Sequence, residues 1–126
     1  MTTEKSGASP STASRADFAE AIAVVAQDKT HQGKVYELAG DEAYRLADMA
    51  AEVSRHSGKT IGYASLPEAD YAAMLVGFGL PEGFAHVLAD SDVQAGKGAL
   101  EDNSRTLSRL IGRATTPMAD VVKAAL

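Results

Sequence analysis

The stretch Gly33–Ser65, GKVYELAGDEAYRLADMAAEVSRHSGKTIGYAS, decides the fold. Its opening, Lys34–Ala39, sets the β-favouring Val35 and Tyr36 between Gly33 and Gly40, the pattern of a short strand. From about Glu42 to Ser57, Ala43, Leu46, Ala47, Ala50 and Val53 recur at helical spacing, and Gly58 follows where a left-handed glycine closes a helix. Thr60–Ser65, with Ile61 and Tyr63, reads as a second strand. Strand, helix, strand predicts a βαβ unit with parallel strands and a right-handed crossover. Parallel strands belong to larger sheets covered on both faces, and an isolated pair is marginal in water. The rest of such a sheet is expected to lie outside these residues.

Upstream, residues 1–12 are Ser, Thr, Gly, Ala and Pro apart from Met1, Glu4 and Lys5, too poor in apolar side chains to offset the entropy of ordering, so a disordered leader is expected there and a single domain over 13–126. Ser14-Arg15-Ala16-Asp17 reads as a capping box opening a helix whose Phe18, Ala21, Ile22 and Val25 share one face. Downstream, Ser65-Leu66-Pro67-Glu68 repeats the capping-box pattern and starts a helix through Tyr71, Met74 and Leu75 to Gly77. Another helix from about Pro81 is expected to bury Phe84, Val87 and Leu88. Asp102-Asn103-Ser104 supplies caps for a shorter helix ending at Gly112, and Thr116-Pro117 starts the last, with Met118, Val121, Val122 and Ala125 inward. The fold class is therefore α/β but mostly helical: a βαβ unit plus a helical lobe.

Bulk properties narrow the function. The 126 residues, 45% hydrophobic, suit one modest core, and the net charge of −5 with no Lys/Arg cluster opposes binding to a phosphate backbone. Without cysteine there is no disulfide, thiolate nucleophile, zinc-thiolate site or iron–sulfur cluster. No apolar run is long enough for a signal peptide or a membrane span, so a soluble, cytoplasmic protein is expected.

The chemical motifs are incomplete. Gly58-Lys59-Thr60 ends like a phosphate-binding loop, but Val53 stands at the required first glycine, and the tripeptide leaves a helix instead of entering one. Gly77-Phe78-Gly79 and Gly96-Lys97-Gly98 lack the third glycine and the preceding strand of a dinucleotide fingerprint. Asp90-Ser91-Asp92 with Glu101 falls short of a calcium loop, since Gln94 and Ala95 replace a carboxylate and the essential glycine. His31, His56 and His86 are far apart, and a carboxylate partner at ligand spacing within their helices is not expected. Neither a Gly-x-Ser-x-Gly elbow nor a Tyr followed four residues later by Lys occurs. No catalytic residue, cofactor-binding residue or metal ligand emerges from these patterns.

Two groups remain. Arg105, Arg109 and Arg113 fall at four-residue steps, reading first as a solvated face and otherwise as a contact to a phosphate or carboxylate outside the lobe. Tyr71, Met74, Phe78 and Phe84 flank the Gly79-Leu80-Pro81 break; they read as core, or as the lining of an apolar pocket for a flat aromatic ligand.

Four runs carry a resemblance: Ser14–Ala19 (SRADFA), Gly33–Gly40 (GKVYELAG), Leu88–Val93 (LADSDV) and Ser104–Arg113 (SRTLSRLIGR). In this order and spacing they resemble the carboxy-terminal part of the NmrA-like, atypical short-chain dehydrogenases, and among these the bacterial NAD(P)H-dependent quinone oxidoreductases. The Gly58-Lys59-Thr60 and Leu80-Pro81-Glu82-Gly83 turns agree, whereas Glu101 stands where that family has an aromatic residue.

The resemblance implies a Rossmann-type fold whose amino-terminal sheet, holding NADP or NAD, is absent here, and whose carboxy-terminal half closes over a quinone or other small aromatic substrate. On that footing the chain is expected to be the substrate-side lobe, inactive and binding no cofactor by itself. The alternative is a non-catalytic redox-sensing or binding module of NmrA-like type, working through a Rossmann-containing partner chain. Neither reading involves nucleic acid or a membrane.

Overall fold

The computed structural model describes residues 9–126. Six α-helices follow one another: α1 (Arg15–Gln27), α2 (Leu46–Ser57), α3 (Glu68–Gly77), α4 (Glu82–Gly96), α5 (Thr106–Ile111) and α6 (Met118–Ala125), with a 3₁₀ turn, Lys29–His31, after α1. They pack as pairs, α1 on α5, α2 on α6 and α3 on α4.

Their ends follow the expected signals in most places. Asp17 N–H donates to Ser14 Oγ at 3.0 Å, half of the expected capping box. The other half is replaced, because the Asp17 carboxylate turns inward to residues of the last loop. Gly58 and Gly112 close α2 and α5 in the left-handed conformation, at φ 69° and 71°. Helix α2 starts at Leu46 and not near Glu42, since the preceding residues are held elsewhere: Asp41 N–H donates to Thr115 Oγ1 and Tyr44 N–H to the Pro10 carbonyl. Its cap is Asp48, whose carboxylate accepts from the Arg45 amide at 2.9 Å. Helix α3 is entered through Pro67, with no side-chain cap from Ser65.

The helical lobe stands as expected, and 57% of the described residues are helical. Its βαβ part lacks a ladder: among the described residues no strand forms. Both segments read as strands, Lys34–Ala39 and Thr60–Ser65, run as irregular chain. A strand is completed by a neighbour's amides and carbonyls, and at Ile61 a side chain takes their place. Ser54 Oγ on α2 accepts from Ile61 N–H (2.8 Å) and donates to its carbonyl (3.1 Å). Val35 is left 90% exposed.

The expected leader also needs correction where it can be seen. Residues 1–8 lie outside the described residues, but Pro10–Thr12 form a strap through the lobe. Ser11, buried, donates its amide to the Leu100 carbonyl and accepts from Gly40 N–H, both at 2.8 Å, while its hydroxyl accepts from Asp102 N–H. The strap runs so close to Gly40 that a Cβ there would stand 2.2 Å from the Thr12 carbonyl oxygen.

Small side chains make the core. Ala21, Ala72, Ala85 and Ala89 are buried where helices cross, and Leu107 is the one large apolar side chain wholly enclosed among the described residues. The expected burial of Phe84 and Val87 does not occur: α4 meets α3 through Ala85 and Ala89, which turns Phe84 and Val87 to the surface and leaves Leu88 half-buried. Ile22 on α1 and Val121 on α6 are likewise exposed beside the buried Ala21 and Val122.

Candidate functional site

The four apolar candidates sit on the α3–α4 hairpin. Tyr71 is half-buried near the start of α3, and its phenol is pushed above its ordinary pKa chiefly by the nearby Asp92 carboxylate on α4, then by burial and their hydrogen bond. Met74 and Phe84 are exposed, and Phe78, the residue that ends α3, is 74% exposed. Val76 and Val87 add to the same helices' exposed apolar surface. The hairpin thus gathers the predicted residues on one element pair and presents most of them outward; none lines either of the two concavities described below.

What holds the lobe in shape is a pair of carboxylates, Asp17 buried and Asp41 half-buried, that sequence patterns do not single out. Asp17, with no exposed surface, accepts from Thr116 N–H (2.8 Å), Thr116 Oγ1 (3.0 Å) and Arg113 Nη2 (2.8 Å). Burial pushes this carboxyl up, but the bonds from Thr116, Arg113 and Ser14 outweigh it and hold it below its ordinary range. Asp41 does the same from the other side of the last loop. It accepts from Thr115 N–H (3.0 Å) and Ser108 Oγ (2.8 Å), while its own amide donates to Thr115 Oγ1 (2.8 Å). Burial raises this carboxyl too, and the Thr115 and Ser108 bonds together with the Arg105 charge bring it down. Of the predicted arginine row, Arg113 therefore finds its carboxylates inside the lobe, Asp17 and, at 2.5 Å, Glu20. Helix α5 spans only Thr106–Ile111, so Arg105 and Arg113 flank it.

Of two concavities in the lobe, the second is lined by Asp41. A narrow crevice of about 70 Å³ lies between the strap residue Thr12, Tyr44, Met49 and the α6 residues Met118, Val121 and Val122. An open hollow of about 470 Å³ is lined by Asp41, Ser108, Gly112 and the three arginines. The histidines have nearer partners than expected: His56 Nε2 lies 3.5 Å from Glu52, and His86 Nε2 lies 4.0 Å from Glu82, each one turn earlier on its helix. The expectation of no carboxylate at that spacing is corrected, although no cluster of three or more metal-ligating side chains forms among the described residues. His31 Nδ1 pairs with Tyr36 Oη at 2.7 Å.

The residues present do not fit a nicotinamide dinucleotide. A pyrophosphate needs amides at a strand-to-helix turn. Here Gly77-Phe78-Gly79 and Gly96-Lys97-Gly98 each follow the carboxy-terminal end of a helix, where carbonyls face outward. Glu101, exposed, follows the second of these turns, and its amide donates to the Gly98 carbonyl. No helix among the described residues is long and apolar enough to cross a membrane.

No family model matches the chain. Quinone oxidoreductase 2 of Escherichia coli strain K12 is 56% identical over 110 residues, which cover 87% of this chain and 38% of that protein, in its C-terminal part. The crystal structure of an NADPH-dependent quinone oxidoreductase from Escherichia coli superposes with a TM-score of 0.87 at 51% identity, covering 95% of this chain and 44% of that one. A triphenylmethane reductase from Citrobacter sp., solved with NADP(H), gives 0.84 at 30% identity, covering 95% of this chain and 42% of that one. The chain thus spans less than half the length of each. Sequence and backbone agree that this lobe is similar to the carboxy-terminal part of quinone oxidoreductase 2 and of NmrA-like reductases.

Proposed function

We propose that the chain is the substrate-side lobe of an NAD(P)H-dependent quinone oxidoreductase, with the nicotinamide held by a Rossmann lobe outside residues 9–126. The observation that carries this reading is the 56% identity confined to the C-terminal part of Escherichia coli quinone oxidoreductase 2. In the intact enzyme a hydride passes from the reduced nicotinamide to a quinone. This lobe contributes apolar cover and shape, and Phe78 and Phe84 meet the flat ring, with Met74 and Tyr71 behind them. The exposure of these side chains suits a surface that becomes a wall only when another lobe faces it. The cofactor is assigned as NADP, after the relatives solved with NADPH or NADP(H), and the compartment as cytoplasm, in keeping with a chain free of cysteine. The module alternative, in which a separate chain supplies the Rossmann lobe, draws its support from the unladdered segments at Val35 and Ile61.

A chimaera tests the reading. Residues 9–126 replace the matching C-terminal part of Escherichia coli quinone oxidoreductase 2, and NADPH oxidation is followed with 1,4-benzoquinone as acceptor. The chimaera is expected to turn over, and Phe78→Ala within it to raise KM by roughly tenfold, the worth of one aromatic contact. The 126-residue chain alone is expected to give neither turnover nor a calorimetric signal with NADPH. A folded, NADPH-binding chimaera without quinone reduction, or turnover by the chain alone, overturns the proposal.

A further inference from the structure

The arginine row Arg105, Arg109 and Arg113 has no part in that reading, yet it frames the open hollow of about 470 Å³ beside α5. Arg113 is matched by Asp17 and Glu20. Its two companions are not: no ion pair among the described residues includes Arg105 or Arg109. The one carboxylate lining the hollow, Asp41, has its oxygens engaged by Thr115 N–H and Ser108 Oγ. It attracts Arg105 through space without completing a hydrogen bond to it.

Local structure sets the Arg109 guanidinium and the Arg105 backbone in place. Arg109 Nη1 donates to the Ser104 carbonyl (2.5 Å) and Nη2 to Thr106 Oγ1 (3.2 Å), which fixes the fork and leaves its remaining N–H groups without partners among the described residues. A guanidinium held this way has already lost the rotamer freedom that a ligand would otherwise have to remove. Arg105 has φ 57° and ψ 26°, and among the described residues it is the one non-glycine in the left-handed region. That conformation is sterically costly for any residue with a Cβ. A side chain kept there four residues before Arg109 puts a second cation on the rim of the same hollow.

We propose that Arg105 and Arg109 form a binding site for a phosphomonoester dianion, whose organic part lies across the open side of the hollow. Two guanidiniums match the double charge, their donors suit the oxygens of a phosphoryl group, and a hollow of about 470 Å³ is larger than phosphate alone requires. The site stands apart from the quinone reading, since it needs neither a nicotinamide nor an acceptor.

The test is titration of the full chain with inorganic phosphate and with phenyl phosphate, against chloride at matched ionic strength, following the arginine Nε–Hε resonances by NMR. Saturable shifts of the Arg105 and Arg109 signals are expected with both phosphates, tighter for the monoester and absent with chloride. Arg109→Ala is expected to weaken binding about tenfold, the loss of one charge-assisted contact. Arg105→Gly removes the cation and relieves the left-handed residue, so it is expected to lose binding while melting at a higher temperature. Equal shifts in chloride, equal affinity for the two phosphates, or an Arg105→Gly variant that melts lower or still binds would overturn the assignment.

Discussion

Asp17 joins the first helix to the last loop, and its sequence separation from Thr116 is 99 residues. Replacing it with Ala strands the Thr116 amide and takes from Arg113 one of its two carboxylates, so Asp17→Ala is expected to lower stability by about 3 kcal/mol in urea unfolding followed by circular dichroism. The sign of the pH dependence follows from the direction of the shifts. Asp17 and Asp41 are both held below the ordinary carboxylate value in the folded lobe. Their contribution is therefore complete above an unfolded pKa of about 3.9 and is lost as pH falls through the lower folded values. The melting temperature is expected to be level near neutrality and to drop below about pH 4, with an Asp17→Asn, Asp41→Asn double variant showing a shallower drop. Gly40 tests the strap. A Cβ at 2.2 Å from the Thr12 carbonyl oxygen meets backbone, which cannot swing aside. Gly40→Ala is expected to cost about 2 kcal/mol, and an unchanged unfolding midpoint would show that the strap is not seated there.

The helices show how far local pattern carries. Ser14, Gly58 and Gly112 mark helix ends through contacts made within a turn, so the sequence displays them. Which face of α4 is buried depends on its neighbour. Periodicity favours the larger Phe84 and Val87, but α3 and α4 approach through Ala72, Ala85 and Ala89, because small side chains permit the closer crossing. The aromatic group around Gly79-Leu80-Pro81 was legible because its members are near in sequence, although its outward orientation was not. Asp17 and Ser11 were illegible as core residues, and Asp41 as a tie to the last loop, since their partners lie 67 to 99 residues away. Two substitutions on the same hairpin separate the faces. Ala85→Leu is expected to destabilise by about 1–3 kcal/mol through overpacking, whereas Phe78→Ser should stay within about 0.5 kcal/mol in thermal melts. Equal effects would mean that the hairpin packs the other way round.

At the scale of the molecule, the balance between core and surface is unusual for a lone domain. The wholly buried apolar side chains are mainly alanines, while Ile22, Val35, Ile61, Tyr63, Phe78 and Phe84 face outward. Exposed apolar area of this kind marks surfaces that meet another body, and the matched relatives are more than twice as long as this chain. The segments expected as strands make the same point through the backbone: their sequences favour β structure, and Ser54 satisfies Ile61 in place of a neighbouring strand. The strap has a kinetic corollary. Its seat is built from Gly40 and from Leu100 and Asp102, the last of these 91 residues beyond Ser11. A nascent chain emerging amino end first must therefore carry Pro10–Thr12 undocked until most of the lobe has been synthesised. Closing so long a loop makes seating of the strap a late event in folding, after the α1, α2 and α3–α4 segments have had time to form locally.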